Sequence, residues 1–275
     1  MTQNSGLPKL VTFDGEARSG KGTIVQATKD YLRDECGYKV MLIDAGQVFR
    51  VLVVGATKAG VDMESPDAID SFLGNDEEAE KCVQLVKDVY HMGKKERDAL
   101  LYTNEVGANS AKIGARPLSQ AFKDELLKKW LRDAHDEGYE VVLLDGRALE
   151  ETGLMLAQEK LCQFVMGLYF VCDPIVGARR TLGYATTPYN ELDDLAKAEV
   201  DELVEQIKAR NAADQKRTVQ PIVRPTNAPI FMLPGTIEFS PTDERYMATV
   251  DTSGNMSKSE MAIPVANAVA AQLKQ

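Results

Sequence analysis

Leu10-Val11-Thr12-Phe13-Asp14-Gly15-Glu16-Ala17-Arg18-Ser19-Gly20-Lys21-Gly22-Thr23 begins as a short apolar run and ends as a glycine-rich turn, and a helical pattern from Ile24 to Arg33 follows at once. Strand, loop and helix in that order let the backbone curl with its N–H groups pointing inward. The helix N-terminus adds positive potential, and Lys21 adds a point charge suited to β- and γ-phosphates. The stretch Gly15 to Thr23 is therefore expected to cradle the phosphates of a polyphosphate. Gly22 separates Lys21 from Thr23, whereas the usual P-loop places the hydroxyl directly after the lysine, and this bears on Thr23 as a magnesium ligand.

Further apolar runs have the same form: Val40 to Ile43, Val141 to Leu144 and Phe164 to Val171 each precede a turn and a helical pattern, with Met247 to Val250 as a fifth candidate strand. Short buried strands alternating with helices predict an α/β fold with a parallel sheet, in which ligands bind beyond the carboxyl ends of the strands. Asp14, Asp44 and Asp145 each end a strand, and the fourth strand runs into Cys172-Asp173. Helix capping and ligand binding both place aspartate there.

Between the second and third strands, Gln47 to Tyr139 reads as mainly helical. Within it Cys82, Leu85, Val86 and Val89 follow the i, i+3, i+4, i+7 spacing of a core-facing stripe. Glu191 to Ala212 reads as a charged helix that ends in a basic cluster. From Pro221 to Tyr246 the prolines, with Pro234-Gly235 between Ile230 to Leu233 and Thr236 to Phe239, predict a surface hairpin or a long loop.

Composition narrows the function classes. The 275 residues carry 42 acidic against 32 basic side chains, a formal charge of −10, so no general attraction to nucleic acid or an anionic membrane is expected. Any phosphate site must gather its positive charge locally. No apolar run approaches the length of a membrane span and the start lacks the blocks of a secretory signal, which predicts a cytoplasmic protein. Cys36, Cys82, Cys162 and Cys172 show no CxxC spacing, and with only His91 and His135 beside them they read as buried reduced thiols.

The GKGT form of the loop is the one seen in nucleoside monophosphate kinases, and later segments resemble the bacterial cytidylate kinases in the same order. Asp44-Ala45-Gly46-Gln47-Val48-Phe49-Arg50 is similar to that family's D-S-G-x-x-Y-R, and Thr103 to Ala111, running on to Pro117, to its acceptor-site helix. Asp145-Gly146-Arg147 resembles D-G-R-D, with Asp145 in the Walker B-like position. Ala178-Arg179-Arg180 resembles R-A-x-R-R of the lid, and Arg210 to Arg217 with Pro221 resembles R-D-x-x-D-x-x-R-x-x-x-P. The resemblance covers roughly residues 10–225 and the last strand and helix.

The resemblance implies a P-loop NTPase fold in one domain, 1–275, with a five-stranded parallel sheet. It implies a core of 8–46, 140–173 and 247–275, an acceptor-binding helical subdomain at 47–139, a lid and charged helix at 174–220, and a proline-rich insertion at 221–246. ATP and Mg2+ would be the cofactors and small nucleotides the substrates, with a monomer expected. In-line phosphoryl transfer needs positive charge around the migrating group, and arginine forks hold its oxygens bidentately. By family position Lys21, Arg147, Arg210 and Arg217 would be catalytic. Asp44, Arg50, Arg147, Asp214 and Arg217 would hold the acceptor, with Asp214 on the ribose hydroxyls. Arg179 and Arg180 would belong to the lid, and Thr23 and Asp145 would meet the metal.

Departures from the pattern cluster where cytosine is read. Ala45 stands for the serine of D-S-G, Ala148 for the second aspartate of D-G-R-D, Ala111 for a helix serine and Gln120 for an arginine, while Tyr102 replaces a phosphate-binding arginine. A helix around Cys82 to Tyr90 takes the place of a β-rich insert. These losses predict altered base recognition. The competing readings are a kinase with a non-nucleotide acceptor and a degenerate nucleotide-binding protein that regulates a partner.

Overall fold

The computed structural model describes residues 6–226, 228–239 and 247–275. Its strands are β1 (Lys9–Gly15), β2 (Val40–Asp44), β3 (Val141–Asp145), β4 (Gln163–Val171), β5 (Ile230–Met232) and β6 (Met247–Asp251). They form one sheet in the order β2-β3-β1-β4-β6-β5, in which β1 runs parallel to β3 and β4, and β6 parallel to β4 and β5. The α/β fold with a parallel sheet is as expected.

The sixth strand is a correction. The sequence predicts a surface hairpin or a long loop over Pro221 to Tyr246, yet Ile230–Met232 joins β6 in parallel register, Ile230 opposite Thr249 and Met232 opposite Asp251. The reason lies in β6, whose outer edge needs hydrogen-bond partners. Thr249 N–H donates to Pro229 O at 2.8 Å and Leu233 N–H to Asp251 O at 3.0 Å. Pro234-Gly235 does make a turn, closed by Gly235 N–H on Met232 O, but the chain beyond it brings Ile237 into the core beside Leu233. Ser240 to Tyr246, the end of the expected loop, lies outside the described residues.

Among the described residues the chain divides into two compact units: one of the chain up to Ile43, Trp130–Lys216 and the chain from Pro221 onward, the other of Asp44–Lys129 and Arg217–Gln220. In the first, side chains alternate across the sheet. Val11 and Phe13 of β1, Leu143 of β3, Leu168 and Phe170 of β4 and Val250 of β6 bury one face against α1 (Lys21–Asp34) and α11 (Lys258–Leu273). Asp14 and Tyr169, opposite each other in register, belong to the other face, where α8 (Leu149–Gln158) meets β1 and β4. Two more helices, α9 (Pro174–Leu182) and α10 (Asp194–Gln215), pack together through Ala178, Ala196, Val200, Val204 and Ile207.

The second unit is helical: α2 (Ala45–Lys58), α3 (Pro66–Leu73), α4 (Asp76–His91), α5 (Lys94–Leu101), α6 (Asn104–Gly114) and the first part of α7 (Pro117–Asp136). α2 is its centre, burying Leu52, Val53 and Ala56 against α3, α4 and α6, and Val51 and Val54 against Val89 and Leu101. Cys82 and Val89 are the buried members of the stripe read on α4. All four cysteines are free, and burial pushes the Cys82 thiol up to about 11 and the Cys162 thiol up to about 12, so both stay protonated and unreactive at neutral pH. No helix among the described residues is long and apolar enough to cross a membrane.

Candidate active site

Backbone geometry shapes the glycine-rich loop Gly15 to Thr23 before any side chain does. Gly15 has φ 142°, and a Cβ there would lie 2.3 Å from Phe170 O, because β1 and β4 are still paired when the loop begins and Glu16 N–H donates to that same oxygen at 2.9 Å. Only glycine fits. Gly15→Ala is therefore expected to cost on the order of 3 kcal/mol or more, read as a fall in the urea midpoint. A midpoint equal to that of the unmodified chain would contradict the close approach.

Farther on, Arg18 (φ 60°) and Gly20 (φ 81°) turn the chain into α1. Gly20 caps α1 without a side-chain hydrogen bond and no acidic residue lies in the first turn, so the positive end of the helix is left for an anion. Ser19 Oγ–H donates to Glu16 O at 3.0 Å and Thr252 Oγ1–H to Ser19 O at 2.8 Å, which fixes the loop from inside and from the end of β6. Ala17 is buried among the apolar residues of α9 and α10, its N–H donating to Asn211 Oδ1 at 2.9 Å. α9 approaches so closely that a Cβ on Gly177 would stand 3.0 Å from Arg18 O.

Beside the loop, Lys21 Nζ pairs with the Asp145 carboxylate and donates to Gly146 O at 2.9 Å. Arg147, next in the chain, pairs with Asp214 of α10, whose side chain is only 4% exposed. Lys21, Asp145, Arg147 and Asp214 thus stand in one connected set in the first unit. Arg210 lies on α10 one turn before Asp214. Asp145 and Thr23 offer hard oxygen donors of the kind Mg2+ takes together with phosphate oxygens, and no group of three or more acidic, histidine or cysteine side chains forms a metal cage among the described residues. Arg179 donates to Ala185 O at 3.2 Å, and Arg180 to Gly254 O at 2.5 Å with Cys172 Sγ 3.8 Å away.

The strand-end aspartates divide by role. Asp44 caps α2, accepting from Gly46 and Gln47 N–H, and Asp173 caps α9, accepting from Ile175 and Val176 N–H. Asp145 holds Lys21. Asp14 caps no helix of its own and is buried; burial raises its pKa, and the Leu149 N–H and the Lys21 charge oppose the rise.

In the second unit Asp44 Oδ2 also accepts from Tyr102 O–H at 3.2 Å, and Gln47 Nε2–H donates to the same Tyr102 oxygen at 3.2 Å. Arg50 stacks over the Tyr102 ring, 4.6 Å from its centre, and donates to Leu101 O at 2.8 Å. Asp44, Arg50 and Tyr102 therefore form one cluster. Arg217 belongs to this unit through the segment Arg217–Gln220, which Lys123 Nζ holds by donating to Gln220 Oε1 at 2.9 Å. Ala45 and Gln120 are buried, and Gln120 Nε2–H is spent on Gly114 O while its Oε1 has no partner among the described residues.

Sequence reading missed several of these residues. Asn211 stands where the family run has aspartate, and no local spacing marks it as a partner of the loop. Arg224, whose Nε–H donates to Thr249 Oγ1 at 3.2 Å, lies in the segment that reads as a surface hairpin or a long loop. Lys123 is 1% exposed and paired with Asp124 at 2.9 Å; only its place on the apolar side of α7 could have signalled it.

A parallel sheet with a glycine-rich loop after its first strand, a lysine at the loop's end and an aspartate ending the neighbouring strand is the arrangement of the P-loop nucleotide-binding fold. A cytidylate kinase family profile matches residues 11–233. The cytidylate kinase of Shewanella pealeana is 26% identical over 232 residues, covering 81% of this chain and 86% of its own. That of Vibrio cholerae is 25% identical, with 88% and 96% covered, and that of Mycoplasmopsis agalactiae 23%, with 91% and 97%. The chain belongs to the cytidylate kinase family, and so to the nucleoside monophosphate kinases.

Proposed function

We propose that this chain transfers the γ-phosphoryl group of ATP to a nucleoside monophosphate whose base is read by groups other than those that read cytosine in the family. The observation that carries this reading is the connected set Lys21, Asp145, Arg147 and Asp214 beside an open helix N-terminus. Residues Gly15 to Thr23 hold the donor phosphates, and Lys21 exchanges Asp145 for phosphate oxygens. Asp145 and Thr23 would hold Mg2+, which supplies charge neutralisation on the phosphates when bound. Arg147, Arg210 and Arg217 stabilise the charge on the migrating group, Asp214 takes the acceptor ribose, and Asp44 and Arg50 position the acceptor. Residues 47–139 serve as the acceptor-binding subdomain and 174–220, with Arg179 and Arg180, as the lid. The enzyme works as a monomer on small nucleotides in the cytoplasm. Family membership does not favour a non-nucleotide acceptor or a purely binding role.

Chemistry at position 120 supports the change of base. An arginine there presents only donors, which suit the O2 and N3 acceptors of cytosine, whereas Gln120 has given one of its two N–H groups to Gly114 O and carries an acceptor, Oε1, beside the other. The side chains of Ala45, Ala111 and Ala148 offer no hydrogen bond. Each buried hydrogen bond lost is worth about 0.5–1.5 kcal/mol, so kcat/KM for CMP and dCMP is expected on the order of a hundredfold below that of the best acceptor. The test is a kinetic panel of CMP, dCMP, UMP, dTMP, AMP and GMP with ATP and Mg2+. Ala45→Ser with Ala148→Asp should improve CMP use more than UMP use; Ala148 has φ 55°, which aspartate tolerates better than most residues. Efficient, selective CMP phosphorylation by the unmodified chain would refute the altered base reading.

A further inference from the structure

We propose that Asp14 is a positioning residue for phosphoryl transfer, joining the phosphate loop to the turn that carries Arg147 through one buried carboxylate. The inference rests on the function proposed above. Asp14 Oδ1 accepts from Gly15 N–H at 2.6 Å, at the first residue of the loop, and Oδ2 accepts from Leu149 N–H at 2.9 Å, at the first residue of α8. Gly146 N–H donates to Phe13 O at 3.1 Å. Arg147 is thus held between two attachments to the end of β1, one on each side of it in the chain. The second attachment is needed because α8 has no cap of its own: Ala148 has no side-chain acceptor and stands in the left-handed region. An acceptor from β1, 135 residues earlier, takes over that role.

A carboxylate suits this place and an amide does not. Both neighbours are N–H donors, so the group between them must accept with both oxygens, and asparagine would turn its own N–H toward one of them. Burying a carboxylate is costly, and here the two backbone donors and the charges of Lys21 and Arg147 offset part of that cost. Donor-side loop and Arg147 turn are therefore set from a single group. A displacement of Arg147 on the order of 1 Å is enough to slow a reaction whose catalysis is mainly positioning.

The experiment combines Asp14→Asn with Arg147→Ala in a double-mutant cycle on the full chain. Asp14→Asn alone should lower kcat about tenfold or more with KM for ATP and acceptor within about threefold, and should add less than about twofold once Arg147 is gone. Additive losses, or a lower melting temperature with kcat unchanged, would overturn the proposal and leave Asp14 a stability residue. Amide exchange in the unmodified chain reads the contact without turnover or a variant. Gly15, Gly146 and Leu149 should exchange as slowly as the interior of β1, and exchange at the rate of an exposed turn would overturn the contact. Protected amides in a chain without phosphoryl transfer would defeat the function and not the contact.

Discussion

Lys21→Ala is expected to lower phosphoryl transfer on the order of 10³-fold or more, a loss of about 4 kcal/mol in transition-state stabilisation. The chain is acidic overall, so the phosphates of a bound nucleotide rely on local cations, and Lys21 is the one at the end of the loop. Its present partners are the Asp145 carboxylate and Gly146 O, both of which phosphate oxygens can replace. No other side chain at the start of α1 can reach over as a cation, since Gly22 and Thr23 follow. Stability should change little by comparison, roughly 1–2 kcal/mol, because the Asp145 side chain keeps 16% exposure and gains further water once Lys21 is gone. Melting and turnover should separate, and near-normal turnover in the variant would remove the phosphate-loop assignment.

Arg147→Ala should instead strike both. Asp214 is 4% exposed and is paired with Arg147, so truncating the arginine strips a buried carboxylate of that partner. Breaking such a pair costs about 3 kcal/mol, whereas replacing both members together costs less. Arg147→Ala with Asp214→Asn should therefore melt above Arg147→Ala alone while turning over no faster than its low residual rate. If the double variant is no more stable than the single one, the pair does not contribute as described. Arg147→Lys keeps the charge but loses the planar fork, and should recover stability more than activity.

Much of this was legible in the sequence because the signals were local. Glycines and a lysine at fixed spacing after an apolar run mark a loop whose geometry is set largely by its own backbone, and four strands announced themselves as short, mainly apolar runs, with Met247 to Val250 as a fifth candidate. The strand β5 did not, being three residues long with Ile230 and Met232 exposed, and its partner is chosen by the open edge of β6 rather than by its own pattern. Contacts between distant segments were equally silent. Asn211 on Ala17 and Asp14 on Leu149 depend on how helices and strand ends come together, which no spacing rule records. The aspartates show the limit well: four of one type at strand ends proved to be two caps, one lysine partner and one buried clamp.

Following the γ-phosphoryl group itself tests the central claim most directly. ATP labelled with 18O in that group is incubated with Mg2+, the chain and each of the six monophosphates, and the products are read by mass spectrometry. The label is expected in the nucleoside diphosphate formed from at least one acceptor, and its rate of appearance there to fall on the order of 10³-fold or more with Lys21→Ala. Label found only in orthophosphate, or ATP left intact with every acceptor, would contradict the account.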